Sequence, residues 1–176
     1  MNKPNSAINS LDKALRVALA IMMALLVVDV TWQVLTRFIL PQPSSFTEEI
    51  ARFLLIWISL LGGAYAYRLH SHLGFDLIVR NMSHARATLV YRFTCLLVII
   101  FAVLVLIVGG GNLVVITWSL SQSSPVLNLP MAIVYSVIPF SGLLFIIYAA
   151  SFFASASEVT RNLAKSPEEL EVQEND

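Results

Sequence analysis

Charge is scarce in this chain of 176 residues: Lys, Arg, Asp and Glu fill only 12% of positions, about half of what soluble domains carry. With 57% of residues apolar, a water-exposed surface is out of reach, and the chain reads as a membrane protein. Cysteine is nearly absent. The one thiol, Cys95, lies inside an apolar run, which excludes a disulfide framework or a thiol pair within one copy and leaves the role of a small core residue. Histidine occurs three times, at His70, His72 and His84, all in the connection between the second and third apolar runs. None projects into a bundle as a haem ligand, and no cofactor is expected. The formal net charge is zero, with no basic stripe to follow a phosphate backbone, which argues against nucleic acid as a partner.

What the chain does have is four runs long enough to cross hydrocarbon, which takes about 20 apolar residues. They cover about residues 14–38, 50–67, 89–108 or longer, and 131–153. The fold expected is an all-α membrane protein of four transmembrane helices, forming a single domain over 1–157 with an acidic tail over 158–176. The first run continues past Asp29 to Phe38, too far for a secretory signal, and reads as a retained span. Ahead of it, Ile8, Leu11 and Leu15 alternate with Asp12, Lys13 and Arg16 at helical spacing, the pattern of a short amphipathic helix in the membrane interface. Phe75, Ile78 and Met82 against Asp76 and Arg80 suggest a second one. The glycine triplet Gly109 to Gly111 leaves open a bend or a close helix contact in the third span. Pro130 suits the start of the fourth helix, and Pro139 should interrupt it.

Nine of the eleven basic residues fall before the first span, between the second and third, or after the fourth, leaving only Arg37 and Arg52 on the other side. By the positive-inside rule both termini face the cytoplasm.

The polar residues at membrane depth carry the functional signal. Asp29, Gln33, Thr36 and Arg37 share one face of the first helix, and a carboxylate at the depth of Asp29 costs on the order of 2 to 3 kcal/mol on insertion scales. Such a group faces protein or a polar cavity. An antiparallel second helix brings Glu48 and Glu49 level with Arg37, and Arg52 near Gln33 and within reach of Asp29. Asp29, Glu48 and Glu49 then outnumber Arg37 and Arg52 by one charge, which leaves three ways to take it up: water at the interface, a protonated carboxyl, or a cation from another subunit. Carboxylates in the first turn of a helix also suit its dipole, and for Glu48 that simpler role suffices. Gly62 and Gly63, with Ser59 and Ala66, form a small-residue face for close helix approach. Arg68 sits where a headgroup-level anchor belongs, followed by His72 and Asp76. Two histidines and a carboxylate there fall short of the converging ligands of a tetrahedral metal site.

The run Asp29-Val30-Thr31-Trp32-Gln33-Val34-Leu35-Thr36-Arg37-Phe38, the run Phe46-Thr47-Glu48-Glu49-Ile50-Ala51-Arg52-Phe53-Leu54-Leu55-Ile56-Trp57, and Leu61-Gly62-Gly63-Ala64 through Arg68, His72 and Asp76 together resemble the small membrane (Q-type) subunit of tripartite ATP-independent periplasmic (TRAP) transporters. The resemblance implies a bacterial inner-membrane protein, not an enzyme, that binds a large M-type subunit and scaffolds it among the membrane lipids. That large subunit performs sodium-coupled uptake of an organic anion, of sialic acid or C4-dicarboxylate type, which a periplasmic binding protein delivers by transient contact. It also implies that the polar seam of Asp29, Gln33, Arg37, Glu48, Glu49 and Arg52, with Gly62 and Gly63, faces that partner. Residues alone leave one alternative open: an autonomous small dimeric transporter with Asp29 as its coupling carboxylate.

Overall fold

A computed structural model describes residues 6–39, 45–70 and 84–164. Helix α1 runs from Ser6–Ile39, α2 from Ser45–His70 and α3 from His84–Phe101; a π-helical stretch, Ala102–Gly109, leads into α4 at Gly110–Ser119. A loop then precedes α5 at Met131–Tyr135 and α6 at Val137–Ala164. Four stretches are long and apolar enough to cross a bilayer: Ile8–Ile39, Ser45–Leu69, Arg86–Ser119 and Met131–Ser157. This is an all-α membrane protein.

No glycine or proline interrupts residues 6–39, so the amphipathic N-terminal stretch is one unbroken helix with the first span and not a separate element. Ile8, Leu11 and Leu19 from this stretch pack against the core and Leu15 is part of it, so its apolar face is turned toward protein. The second amphipathic stretch expected, around Phe75 to Met82, lies outside the described residues, as does the tail beyond residue 164.

Helix α1 lies along α2, α2 along α6, and α6 along α3 and the π-helical stretch. The four spans therefore form an open row with α1 and α3 at its edges. The fourth span, central in the row, hides the largest share of its residues, and the first span the smallest. The core lies toward the end where α1 begins and α2 finishes, here the proximal end. It is built from Leu15, Leu61, Ala64, Tyr91, Cys95, Leu144, Tyr148 and Phe152. Tyr67 of α2 meets Phe145 and Phe152 of α6, with ring centroids 5.7 Å apart in both pairs, the tilted and edge-on geometries that aromatic quadrupoles favour.

The glycine triplet does not interrupt the third span. Gly109 and Gly110 both have right-handed helical backbones, and the helix continues to Ser119. What Gly110 provides is proximity: a Cβ there would lie 2.5 Å from Cγ2 of Ile138 and 3.2 Å from Cδ of Pro139. Gly142 provides the same from the other side, since its Cβ would lie 2.8 Å from Cβ of Leu106 and 3.4 Å from the carbonyl oxygen of Ala102. Two glycines on facing helices thus seat α6 against the π-helical stretch and α4. The fourth span breaks at Ser136, three residues before Pro139. Its first helical residue is Met131, with Pro130 in an extended conformation just ahead of it. Trp57 of α2 donates its indole N–H to the carbonyl of Val134 at 3.2 Å, adding a bond to α2 in the turn before the break.

Adjacent glycines give a sharp test of this seam. Gly110→Ala should destabilise the folded protein by about 1 to 3 kcal/mol through overpacking. Gly111→Ala, where an added Cβ meets nothing within 4 Å, should change stability by no more than about 1 kcal/mol. Thermal unfolding in mild detergent distinguishes them, and equal melting temperatures would refute the close-contact reading.

Candidate functional site

At the distal end, where α1 finishes and α2 begins, the predicted seam residues are only partly brought together. Asp29 is half-buried, about 15 Å from the end of α1 at 1.5 Å per residue. Its Oδ2 is shielded from solvent with no hydrogen-bond partner among the described residues. Gln33 is half-buried and Arg37 exposed; Thr36, between them, is buried and donates to the carbonyl of Gln33 at 3.0 Å.

Arg52 does not reach Asp29. Its Nη2 lies 3.0 Å from Oε1 of Glu48, one turn earlier on the same helix, and both side chains are more than 60% exposed. Such a pair contributes little to stability. Glu49 points the other way. It is 8% exposed, and its Oε2 accepts the backbone N–H of Leu127 at 2.7 Å. That bond holds down the loop between α4 and α5, which is otherwise folded on itself: Ser124 N–H donates to Leu129, Met131 N–H to Gln122, and Asn128 N–H to Ser124. Ser121 and Asn128 adopt left-handed backbones in this loop, and Asn tolerates that conformation better than most residues. The two neighbouring glutamates therefore have separate tasks, one on the surface and one as a loop latch.

Gly62 and Gly63 lie at contacts within the chain, Gly62 facing Leu19 of α1 and Gly63 facing Phe145 of α6. The small-residue face lets neighbours on both sides approach α2.

At the proximal end Arg68 is more than a headgroup anchor. Its Nε lies 3.3 Å from Oδ2 of Asp12, with the two side chains 28% and 23% exposed. Oδ1 of the same aspartate accepts the Tyr148 hydroxyl at 2.8 Å. The guanidinium also lies over the Tyr148 and Phe152 rings, 5.9 and 5.4 Å from their centroids, within cation–π range. One carboxylate thus ties α1, α2 and α6 together. The sequence pattern put Asp12 on the polar face of an amphipathic helix in the membrane interface. The signal available was that Asp12 begins a span and Arg68 ends its antiparallel neighbour, which sets them at one level. His72 and Asp76 lie outside the described residues. Among the described residues no three His, Cys, Asp or Glu side chains converge as a metal site would need.

Two substitutions separate these roles. Asp12→Ala should cost about 1 to 3 kcal/mol, because Arg68 and Tyr148 lose their acceptor in a partly buried site, whereas Arg52→Ala should cost less than about 1 kcal/mol; thermal unfolding of the purified protein reads both. Glu49→Ala should speed hydrogen exchange at the Leu127 amide by about tenfold or more, since a charge-assisted bond is lost. Unchanged protection at Leu127 would show that the latch is not formed in the membrane.

The sequence model of the tripartite ATP-independent periplasmic transporters' DctQ component matches residues 26–158. A TRAP transporter small permease protein of Haemophilus influenzae is 25% identical over 134 residues, covering 76% of this chain and 81% of that protein. The sialic acid TRAP transporter small permease protein SiaQ of Vibrio cholerae is 36% identical, covering 56% of this chain and 57% of the relative. The C4-dicarboxylate TRAP transporter small permease protein DctQ of Rhodobacter capsulatus is 30% identical, covering 53% of this chain and 41% of the relative. A match over residues 26–158 takes in the second half of α1 and all of α2 through most of α6: the chain belongs to the DctQ, or small-permease, family of TRAP transporters.

Proposed function

We propose that this multi-pass inner-membrane protein is a non-catalytic scaffold for a large M-type subunit, which carries out sodium-coupled uptake of an organic anion delivered by a periplasmic binding protein. The names of the relatives point to two anion classes, sialic acids and C4-dicarboxylates; selection between them belongs to the partner polypeptides. In this reading residues 1–157 are one transmembrane unit with both termini in the cytoplasm, and the acidic residues after it form a cytoplasmic tail.

The observation that carries the scaffold reading is Asp29. Asp29 is only half-buried: its Oδ2 is shielded within the chain and unbonded among the described residues, while the rest of the residue stays open to a neighbour on the helix at one edge of the row. Around it Val27, Val28, Val30, Trp32, Val34 and Leu35 are all exposed, so this half of α1 has an uncovered surface on several sides. Lipid can cover the apolar residues. It cannot donate a hydrogen bond to a carboxylate at this depth, whereas a helix of a companion subunit can. In this reading the large subunit is that companion, with Asp29, Gln33 and Arg37 in the contact and the exposed Glu48–Arg52 pair at its rim. The Ser119 to Pro130 loop, at the same end, is the surface offered to the binding protein.

Co-expression with the large subunit tests the contact. Asp29→Leu should lower recovery of the large subunit in mild detergent by about fivefold or more, the cost of one unmet buried hydrogen bond. Asp29→Asn should retain more, and Arg86→Gln on the opposite edge should retain all of it. Proteoliposomes holding this chain alone should take up no sialic acid or C4-dicarboxylate; solute uptake by the chain alone would instead establish an autonomous carrier.

A further inference from the structure

Between α3 and α6, at the proximal end of the row, a groove of about 460 Å³ is lined by Leu89, Val90, Arg92, Phe93, Leu96 and Phe153. Five of the six are apolar. We propose that this groove binds one anionic phospholipid, with the phosphate on Arg92 and an acyl chain along Phe93, Leu96 and Phe153.

Helical spacing sets the polarity of the site. Leu89, Arg92, Phe93 and Leu96 follow one another at three, one and three residues, and so form one stripe of α3. Side chains on a helix lean toward its N-terminus, which for α3 is the proximal end. The Arg92 guanidinium is therefore directed out toward the headgroups while Leu96 lies deeper. The cation is also held in place: its Cζ lies 5.6 Å from the centroid of the Phe153 ring, within cation–π range. Among the described residues the salt bridges are Arg52 with Glu48 and Arg68 with Asp12, so no described carboxylate neutralises Arg92. A fixed cation above an apolar trough, on a face turned to the bilayer, complements a lipid with a phosphate charge at one end and hydrocarbon at the other. A transmembrane helix suits the trough less well. Close helix approach favours small residues, and here the walls are leucine and phenylalanine.

The test uses the chain in complex with its co-expressed membrane partner, titrated in mild detergent with phosphatidylglycerol and, in parallel, with phosphatidylcholine of the same acyl chains. Native mass spectrometry counts bound lipid, and large-subunit recovery is scored separately from lipid binding. The wild type should bind one phosphatidylglycerol per chain in preference to phosphatidylcholine. Arg92→Gln should weaken that binding about fivefold, Arg92→Lys should weaken it less, and Leu96→Trp, which fills the trough and keeps the cation, should abolish it. Equal binding of the two lipids, or phosphatidylglycerol retained by both Arg92→Gln and Leu96→Trp, would overturn the proposal. So would efficient disulfide cross-linking from Leu89→Cys to cysteines placed in the large subunit, which would put protein in the groove.

Discussion

Asp12 uses both carboxylate oxygens on groups from other helices, one on Arg68 and one on Tyr148. In a membrane this matters more than its modest length suggests. Apolar faces gain nothing by leaving lipid for each other, so helix association depends on packing and polar contacts. A row of four spans has few internal surfaces, and the ones it has need fixed points. The Asp12 contacts fix the proximal end, Gly110 and Gly142 fix the middle, and Glu49 fixes the distal loop. Between these points the helices are free to present long apolar surfaces outward.

The spans themselves were legible because hydropathy alone decides them; α1 ends at Ile39 and the fourth span begins at Met131, beside the bounds expected, whereas α2 begins at Ser45, ahead of the expected 50, and the third span runs to Ser119. The azimuth of each helix was not legible. Arg52 could be set level with Asp29 by counting residues, yet the rotation of α2 about its axis turns it to Glu48, a neighbour always within reach on the same helix. Asp12 and Tyr148 are 136 residues apart in sequence, and nothing in local periodicity joins them. Glu49 pairs with a backbone N–H, which leaves no mark in the sequence at all. The glycine triplet was visible as unusual, but only the position of Ile138 shows that its middle member alone is needed for contact.

An open row also explains why so polar a residue as Asp29 can persist in a span. In a closed bundle it would face the centre and require an internal partner. At an edge helix its partner can come from outside, so the cost of holding the carboxylate in lipid can be relieved on assembly. Membership of the TRAP small-permease family fits that arrangement, since the uncovered edge helix is open to a companion.

The interlocked glycines have a mechanical consequence. With the Ile138 and Pro139 side chains seated on Gly110, and Leu106 and the Ala102 carbonyl against Gly142, the third and fourth spans resist sliding past one another, because a shift of even one residue would bring a bulkier position against each of these contacts. The two spans are thereby held in one register, so relative motion between helices has to be accommodated at contacts other than this seam.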